Sequence, residues 1–360
     1  MRLRDLCVSP SAKEFPTQPP TVKACGGRRA NWRRQVFPAL LLVLVAVVAQ
    51  AQQYTKIVVF GDSLSDTGND AVLSVLQFGV PIPGPVADYT LGRFTDGADT
   101  LPPAQNFFGV WVEQLAASLP AHPAVVASLE GGTNYAFGFA KTGSGTTLLT
   151  FAPGLSIEVE NVGQQIDDYL ATHPQIDSHT LFVVWAGAND VLEAGSPGDV
   201  VNGAVNEIHD IQRLIQAGAT QFLVPNLPPL GLVPRFNTSP TAAATETQAS
   251  ALYNVTLDAG VSFLPLLNFG RRLTISRLNT FALLKEIVAS PSKFGLLDAT
   301  DSSQGMPVDP DLFLFWDDLH PTTRGHNILG MTALQLIEPR GCVAQVSPGE
   351  YIGVAAPGCR

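Results

Sequence analysis

Residues 54–69 read Tyr54-Thr55-Lys56-Ile57-Val58-Val59-Phe60-Gly61-Asp62-Ser63-Leu64-Ser65-Asp66-Thr67-Gly68-Asn69. An apolar, β-branched run stops at a glycine and enters a short polar turn. That pattern predicts a strand over Tyr54–Phe60 with Ser63 at the opening of a helix. A serine held there projects its hydroxyl beyond the strand, where backbone N–H groups can meet a developing oxyanion, and Gly61 lets backbone and substrate come close. The same turn also suits plain helix capping by Ser63, Ser65 or Asp66. Alone it fits nucleophile and cap about equally.

Working outward, strands and helices alternate. Asn106–Leu119 reads as a helix with Phe107, Trp111, Leu115 and Leu119 on one stripe. Asn134–Phe139 reads as a second strand, running into a Gly/Thr-rich loop, and Val162, Ile166 and Leu170 mark a helix. Leu181–Ala186 (LFVVWA) is the unbroken apolar run of a strand buried on both faces. A helix is expected over Val201–Ala217, with Val201, Val205, Ile208, Ile211 and Ile215 inward and Gly218 as cap. Gln221–Val224 is the next strand, 241–268 and 273–290 read as helices, Phe294–Asp298 as a fifth strand, and Pro321–Ile337 as a last helix with proline in its first turn. Such alternation implies a parallel sheet with helices on both faces, whose ligands bind at the carboxyl ends of the strands. Residues 78–105 read as a long surface loop.

Composition narrows the setting. Of 360 residues, 46% are hydrophobic and 14% charged, the make-up of a packed chain. Residues 1–51 hold eight of the 21 Lys/Arg and two of the 31 Asp/Glu, leaving 13 basic and 29 acidic residues, a formal −16, for the rest. An acidic body argues against nucleic acid or an anionic membrane as the main partner. Arg28, Arg29, Arg33 and Arg34 precede an apolar run from Phe37 to Ala49, followed by Ala49-Gln50-Ala51. That is the arrangement of a secretory signal peptide, and the run is too short for a bilayer span of ~20 residues. The expected organisation is a presequence over 1–51, a catalytic domain over 52–339 and a tail over 340–360. The expected location is secreted, periplasmic or extracellular. Cys7 and Cys25 fall in the presequence. Cys342 and Cys359 remain in the tail, where export makes a disulfide plausible and free thiols the alternative.

Two further segments carry chemistry. Trp185-Ala186-Gly187-Ala188-Asn189-Asp190-Val191 follows the LFVVWA strand and places an amide donor near the same crevice, though an Asn-Asp turn would look alike. Phe315-Trp316-Asp317-Asp318-Leu319-His320-Pro321 offers a base and, three residues before it, an acid that could orient it. A solvated turn before a helix is the plain alternative. Ser63 lies in no G-x-S-x-G elbow, which argues against the α/β-hydrolase fold.

FGDSLSDTGN, GTNYAFG, WAGAND and FWDDLHPTT together resemble the four signature blocks of the GDSL, or SGNH, hydrolases, from about Ile57 to about Glu338. The resemblance implies a three-layer α/β/α, flavodoxin-like domain on a mainly parallel five-stranded sheet. It implies Ser63 as nucleophile, His320 as base then acid, and Asp317 as its orienter. It further implies an oxyanion hole from the backbone N–H of Ser63 and Gly138 and the side chain of Asn189. The implied reaction is ester hydrolysis through an acyl-enzyme, on a small or polymer-borne ester. Carbohydrate deacetylation and acyl transfer to an alcohol are alternatives at the same site, and a non-catalytic secreted binding protein is the alternative of another class.

No cofactor or metal is expected: no Cys/His cluster has zinc spacing, and Asp309-Pro310-Asp311 lacks a full oxygen-ligand loop. Many relatives read NYAFGGA where this chain has Phe139 after Gly138, and a bulky residue there suggests a narrowed pocket and short acyl chains. Gly92–Gly97 resembles a loop near the site of plant-type members. Asp66 and Asn69 are expected to brace the nucleophile turn. His122, His173, His179 and His209 are expected at the surface, and His326 on the final helix. Asn237 and Asn254 begin glycosylation sequons.

Overall fold

Along the first strand, Ile57 and Val59 point into one apolar cluster while Val58 and Phe60 point into another. Leu181 and Val183 divide from Phe182 and Val184 in the same way. This is the period of two in an extended chain, with both faces covered. A computed structural model describes residues 54–96, 107–152 and 155–338, all within the unit Ala49–Arg360. The presequence 1–51, Gly97, and the 340–360 tail with its two cysteines lie outside the described residues.

In chain order the elements are β1 (Lys56–Gly61), α1 (Asn69–Phe78), α2 (Trp111–Ser118), β2 (Thr146–Ala152), β3 (Leu155–Glu160), α3 (Val162–Thr172), β4 (Thr180–Trp185), α4 (Ala188–Leu192), α5 (Pro197–Ala217), β5 (Gln221–Pro225), α6 (Pro234–Asn237), α7 (Pro240–Leu267), β6 (Thr274–Leu278), α8 (Thr280–Ala289), β7 (Asp298–Ser302), β8 (Phe313–Phe315) and α9 (Thr323–Ile337). The central sheet runs β1-β4-β5-β6, and every pair is parallel. Helices α3, α5 and α7 cover one face through Ile166, Ile211, Leu214, Tyr253 and Leu257. Helices α2 and α9 cover the other through Trp111, Leu115, Leu329 and Ala333. The result is the expected three-layer α/β/α class. Each large apolar side chain so buried contributes about 1.5–3 kcal/mol before the entropy of ordering is charged against it.

Five strands were expected in the central sheet, and four are found among the described residues. Asn134–Phe139 forms no continuous strand. It lies beside β1 through Val59 N–H to Thr133 O (3.0 Å), Tyr135 N–H to Val59 O (2.8 Å) and Phe137 N–H to Gly61 O (3.3 Å). Counting this partial lane, the order in chain sequence is 2-1-3-4-5, the flavodoxin-like arrangement. The expected helix over 273–290 is two elements. Thr274–Leu278 is a strand paired in parallel with β5, and Asn279 then caps α8, its side chain accepting from Ala282 N–H. The strand expected at Phe294–Asp298 begins only at Asp298, because residues 291–294 form a tight turn closed by Gly295 at φ +74°. It pairs with β8 in a separate two-stranded sheet.

Three further differences are local. The loop expected after Phe139 contains the hairpin β2–β3, where Ile157 and Val159 are buried between outward Ser156, Glu158 and Glu160. The inward face of α5 is Val200, Ala204, Glu207, Ile211 and Leu214, while Val205 is exposed. Helix α9 starts at Thr323, with Thr322 as cap and Pro321 just outside it. Asn254 is buried and holds both the N–H and the carbonyl of Leu227 (2.8 Å each), so its sequon is closed to a glycan. Among the described residues no helix is long and apolar enough to cross a membrane.

Candidate active site

The turn after β1 is built from the backbone outward. A β-carbon on Gly61 would stand 2.5 Å from the carbonyl oxygen of Trp185, so only glycine lets β1 end against β4 here. Gln165 clamps that end, its side chain accepting from Gly61 N–H and donating to Gly61 O at 2.9 Å each. Asp62 O accepts from the N–H groups of Ser65 and Asp66, and Asp62 Oδ1 from Leu64 N–H at 3.1 Å. Ser63 is thereby lifted at the top of the turn.

Asp66 locks the turn from behind. Its Oδ1 accepts from Gly68 and Asn69 N–H (2.8 and 2.7 Å), and its Oδ2 from Asp70 and Gly138 N–H (3.2 Å each). A carboxylate at the start of α1 also suits the helix dipole. Burial still outweighs these donors and pushes the Asp66 carboxyl up to about 6. Asn69 donates to the carbonyls of Asn134 (2.8 Å) and Ala136 (2.9 Å), and Asn134 returns a bond to Ser65 O (2.6 Å). The two signature segments are therefore zipped side by side.

The third segment arrives from the other edge. Strand β8 ends at Phe315, and the loop closes with Trp316 N–H donating to His320 O at 2.8 Å. Asp317 Oδ1 accepts from the N–H groups of Leu319 (2.7 Å) and His320 (2.6 Å). His320 Nδ1 lies 2.7 Å from Asp317 Oδ2, and His320 Nε2 lies 2.8 Å from Ser63 Oγ. The carboxylate assigns the proton to Nδ1, so Nε2 accepts from the serine hydroxyl. All three side chains are buried. Burial alone would raise the Asp317 carboxyl. The facing His320 and the hydrogen bonds from His320 and Tyr89 reverse this and hold it well below the usual carboxylate range. Asp62, beside Ser63, goes the other way, raised by burial to about 7.

The expected oxyanion donors are placed less simply. Gly138 N–H is engaged by Asp66, and a β-carbon there would sit 2.3 Å from Asp70 Oδ2 and 2.4 Å from the Phe94 ring. It is enclosed rather than open to the cleft, which departs from the expectation for it. The next residue, Phe139, is left-handed at φ +62°, and its N–H, like that of Ser63, has no acceptor among the described residues. Asn189 donates one amide hydrogen to Ala140 O at 2.9 Å, which leaves the second for the cleft that it lines with Ser63.

Ser63 and His320 open onto an apolar pocket between the sheet and helices α8 and α9, walled by Trp185, Leu230, Leu284, Ile287, Leu314 and Leu329. Phe139 is not in its wall. The ring packs against Phe94 (5.7 Å) and Phe151 (6.3 Å), so it does not narrow the pocket as expected.

Of the histidines set aside, His122, His179 and His209 are exposed, while His173 is half-buried and stacked on Tyr169 at 4.3 Å. His326 is buried on α9, accepts from Trp111 N–H at 3.3 Å, and is held down to about 3 by burial. The residues that sequence reasoning missed come from the supposed surface loop. Tyr89 donates to Asp317 Oδ2 at 2.6 Å, and the Phe94 ring lies 5.1 Å from that of His320. Phe94 belongs to the segment singled out at 92–97, whereas nothing around Tyr89 signals its contact.

The GDSL-like lipase/acylhydrolase family model matches residues 57–332. The thermolabile hemolysin of Vibrio parahaemolyticus is 25% identical over 79% of this chain and 64% of its own. Esterase EstA of Pseudomonas aeruginosa is 29% identical over 82% of this chain and 50% of its own. The phosphatidylcholine-sterol acyltransferase of Aeromonas hydrophila is 28% identical over 74% and 71%. The chain spans roughly half to two-thirds of the length of the first curated relatives it matches. With the family model covering the sheet, the serine turn and the Asp317–His320 loop alike, the chain belongs to the GDSL-like lipase/acylhydrolase family.

Proposed function

We propose that this protein hydrolyses carboxylic esters through an acyl-enzyme on Ser63. The observation that carries the reading is the unbroken hydrogen-bonded line Ser63–His320–Asp317 at the mouth of an apolar pocket. His320 Nε2 takes the hydroxyl proton as Ser63 Oγ attacks the ester carbonyl. The negative charge that develops meets the open N–H of Ser63, the Phe139 N–H and the free hydrogen of the Asn189 amide. Protonated His320 then gives its proton to the leaving alcohol, and water, deprotonated by the same imidazole, releases the acid. Asp317 holds the tautomer throughout and stabilises the imidazolium.

The pocket wall supports an aliphatic acyl chain over an acetyl group on a sugar, because a chain of methylenes gains about 0.8 kcal/mol for each one buried. Transfer to an alcohol in place of water uses the same intermediate, and one relative is named for such a transfer. Ser63→Ala is expected to abolish turnover of p-nitrophenyl esters and labelling by a fluorophosphonate, while the parent is labelled at Ser63. Undiminished turnover in the variant would refute the assignment. A p-nitrophenyl series from acetate to laurate is expected to peak beyond acetate.

The basic, apolar start of the chain supports export. N-terminal sequencing of the mature protein is expected to begin near Gln52, and a mature start at Met1 would exclude cleavage. The likeness of Gly92–Gly97 to plant-type members supports placing the chain near them.

A further inference from the structure

The segment 80–96 is tied to the His320 loop and the start of α9 at four points. Tyr89 Oη donates to Asp317 Oδ2 at 2.6 Å. The Phe94 ring covers the His320 ring at 5.1 Å, tilted by 33°. Thr95 Oγ1 donates to Pro321 O at 2.9 Å, and Asp96 accepts from the N–H and hydroxyl of Thr323 at 2.6 and 3.1 Å. On its outer side the segment is held by Gln304, which donates to Ala87 O at 2.6 Å.

We propose that Tyr89 is a positioning residue for the ester-cleaving site: its phenol aims Asp317 Oδ2 at His320 and draws off part of the carboxylate's charge, so that His320 keeps its lone pair for Ser63. This rests on the hydrolase reading above. A carboxylate has about four acceptor positions. Asp317 receives Leu319 N–H, His320 N–H, His320 Nδ1–H and Tyr89 O–H, so the phenol completes the set. The bonds from His320 and Tyr89 stabilise the ionised acid and contribute to holding it low. Removing one leaves a more basic carboxylate, which pulls harder on Nδ1–H and favours imidazolium over the neutral ring that must accept the serine proton.

The other charged groups around the pair are Asp62 on the β1–α1 turn, His326 on α9, Asp318 in the same loop, and Arg235 on α6, which pairs with Asp318. None is altered by replacing the phenol alone, so Tyr89→Phe isolates the hydroxyl. The ring that packs edge-on against Phe94 at 6.2 Å is kept, and the fold with it.

The test is an NMR titration of the His320 ring carbon–hydrogen signal, assigned by its loss in His320→Asn, in the parent and in Tyr89→Phe. A pH–rate profile is measured alongside. In Tyr89→Phe the ring is expected to take its proton a few tenths of a pH unit higher. The acidic limb of kcat/KM moves with it, and kcat drops several-fold at unchanged KM. Fluorotyrosine at position 89, a stronger donor, moves the midpoint the other way. An unmoved midpoint overturns the proposal, whether activity survives or is lost, because loss without a shift means Tyr89 only supports the fold. The titration needs no turnover. Its failure is therefore distinct from failure of the hydrolase reading, which shows itself as ester turnover surviving Ser63→Ala.

Discussion

Two buried aspartates near the Ser63 turn have carboxyls shifted in opposite directions. In front, Asp317 accepts four hydrogen bonds and faces His320, and its carboxyl stays ionised far into the acid range. Behind, Asp70 on α1 is fully buried, and neither of its carboxyl oxygens has a well-formed hydrogen bond among the described residues. Burial and the nearby Asp66 push its carboxyl well above the usual range. Both are buried, Asp70 completely and Asp317 with 7% exposure, and they differ further in the number of donors and the sign of the neighbour. Burial alone does not set ionisation in this molecule. Donors from the Asp317 loop, with Tyr89 from the segment 80–96, hold Asp317 ionised beside His320.

The largest effect is expected from removing the front anion's charge while keeping its shape. In Asp317→Asn the side-chain carbonyl can still accept from Leu319 and His320 N–H. Its NH2 then faces His320 Nδ1, which must become the acceptor, and the proton moves to Nε2. A ring protonated there cannot take the Ser63 proton, and kcat is expected to fall by on the order of 10⁴-fold. Stopped-flow kinetics on a p-nitrophenyl ester checks this. A loss of less than tenfold would mean that Asp317 does not govern the tautomer.

Next comes Asp66, the partnered member of the rear pair. Asp66→Ala leaves four N–H groups without their acceptor, two of them at the first turn of α1. An unmet buried donor costs about 1–3 kcal/mol, so a total loss of several kcal/mol is expected even if water reaches some of them. Urea unfolding measures the stability, and kcat should fall as the Ser63 turn loosens. Full stability with normal turnover would show that the two signature segments hold each other without this carboxylate.

These contrasts bear on what the chain reveals before it folds. Leu181–Ala186 was legible because both faces of β4 are apolar, and a strand buried twice needs no long-range information. Ser63, Asp317 and His320 lie in short segments that each also fitted plain capping or a solvated turn, and only the four blocks taken together singled them out. The inward face of α5 was not legible, because Glu207 lies inside it, bonded at 2.5 Å to Tyr253 Oη from α7. A reading that sends charges outward rotates the helix away from its true face. Strand β6 was lost because its five residues run directly into the α8 cap, so two periods were read as one. Tyr89 was out of reach altogether: its partner lies 228 positions away, and contacts of that span leave no trace in local spacing.

The smallest expected effect is also the sharpest test of the comparison. Asp70→Asn keeps the shape of a carboxyl whose pKa is pushed up by burial, so at or below the ordinary carboxylate pKa of ~3.9 the variant and the parent should melt close together. As pH rises the two should part. The folded-state pKa of Asp70 is raised, so folded protein keeps a proton that the unfolded chain releases above its ordinary carboxylate range. Parent stability therefore falls as pH climbs from that range toward the folded pKa, and Asn, which has nothing to release, escapes the loss. Asp317 contributes with the opposite sign: its stabilisation is present above the ordinary carboxylate range and lost as pH falls toward its depressed folded pKa. Melting curves from pH 5 to 9 should show Asp70→Asn gaining on the parent at the alkaline end, at about 2–4 °C for each kcal/mol. A gap constant with pH would mean that Asp70 is ionised in the fold, and that the region behind Ser63 finds for it donors like those that hold Asp317.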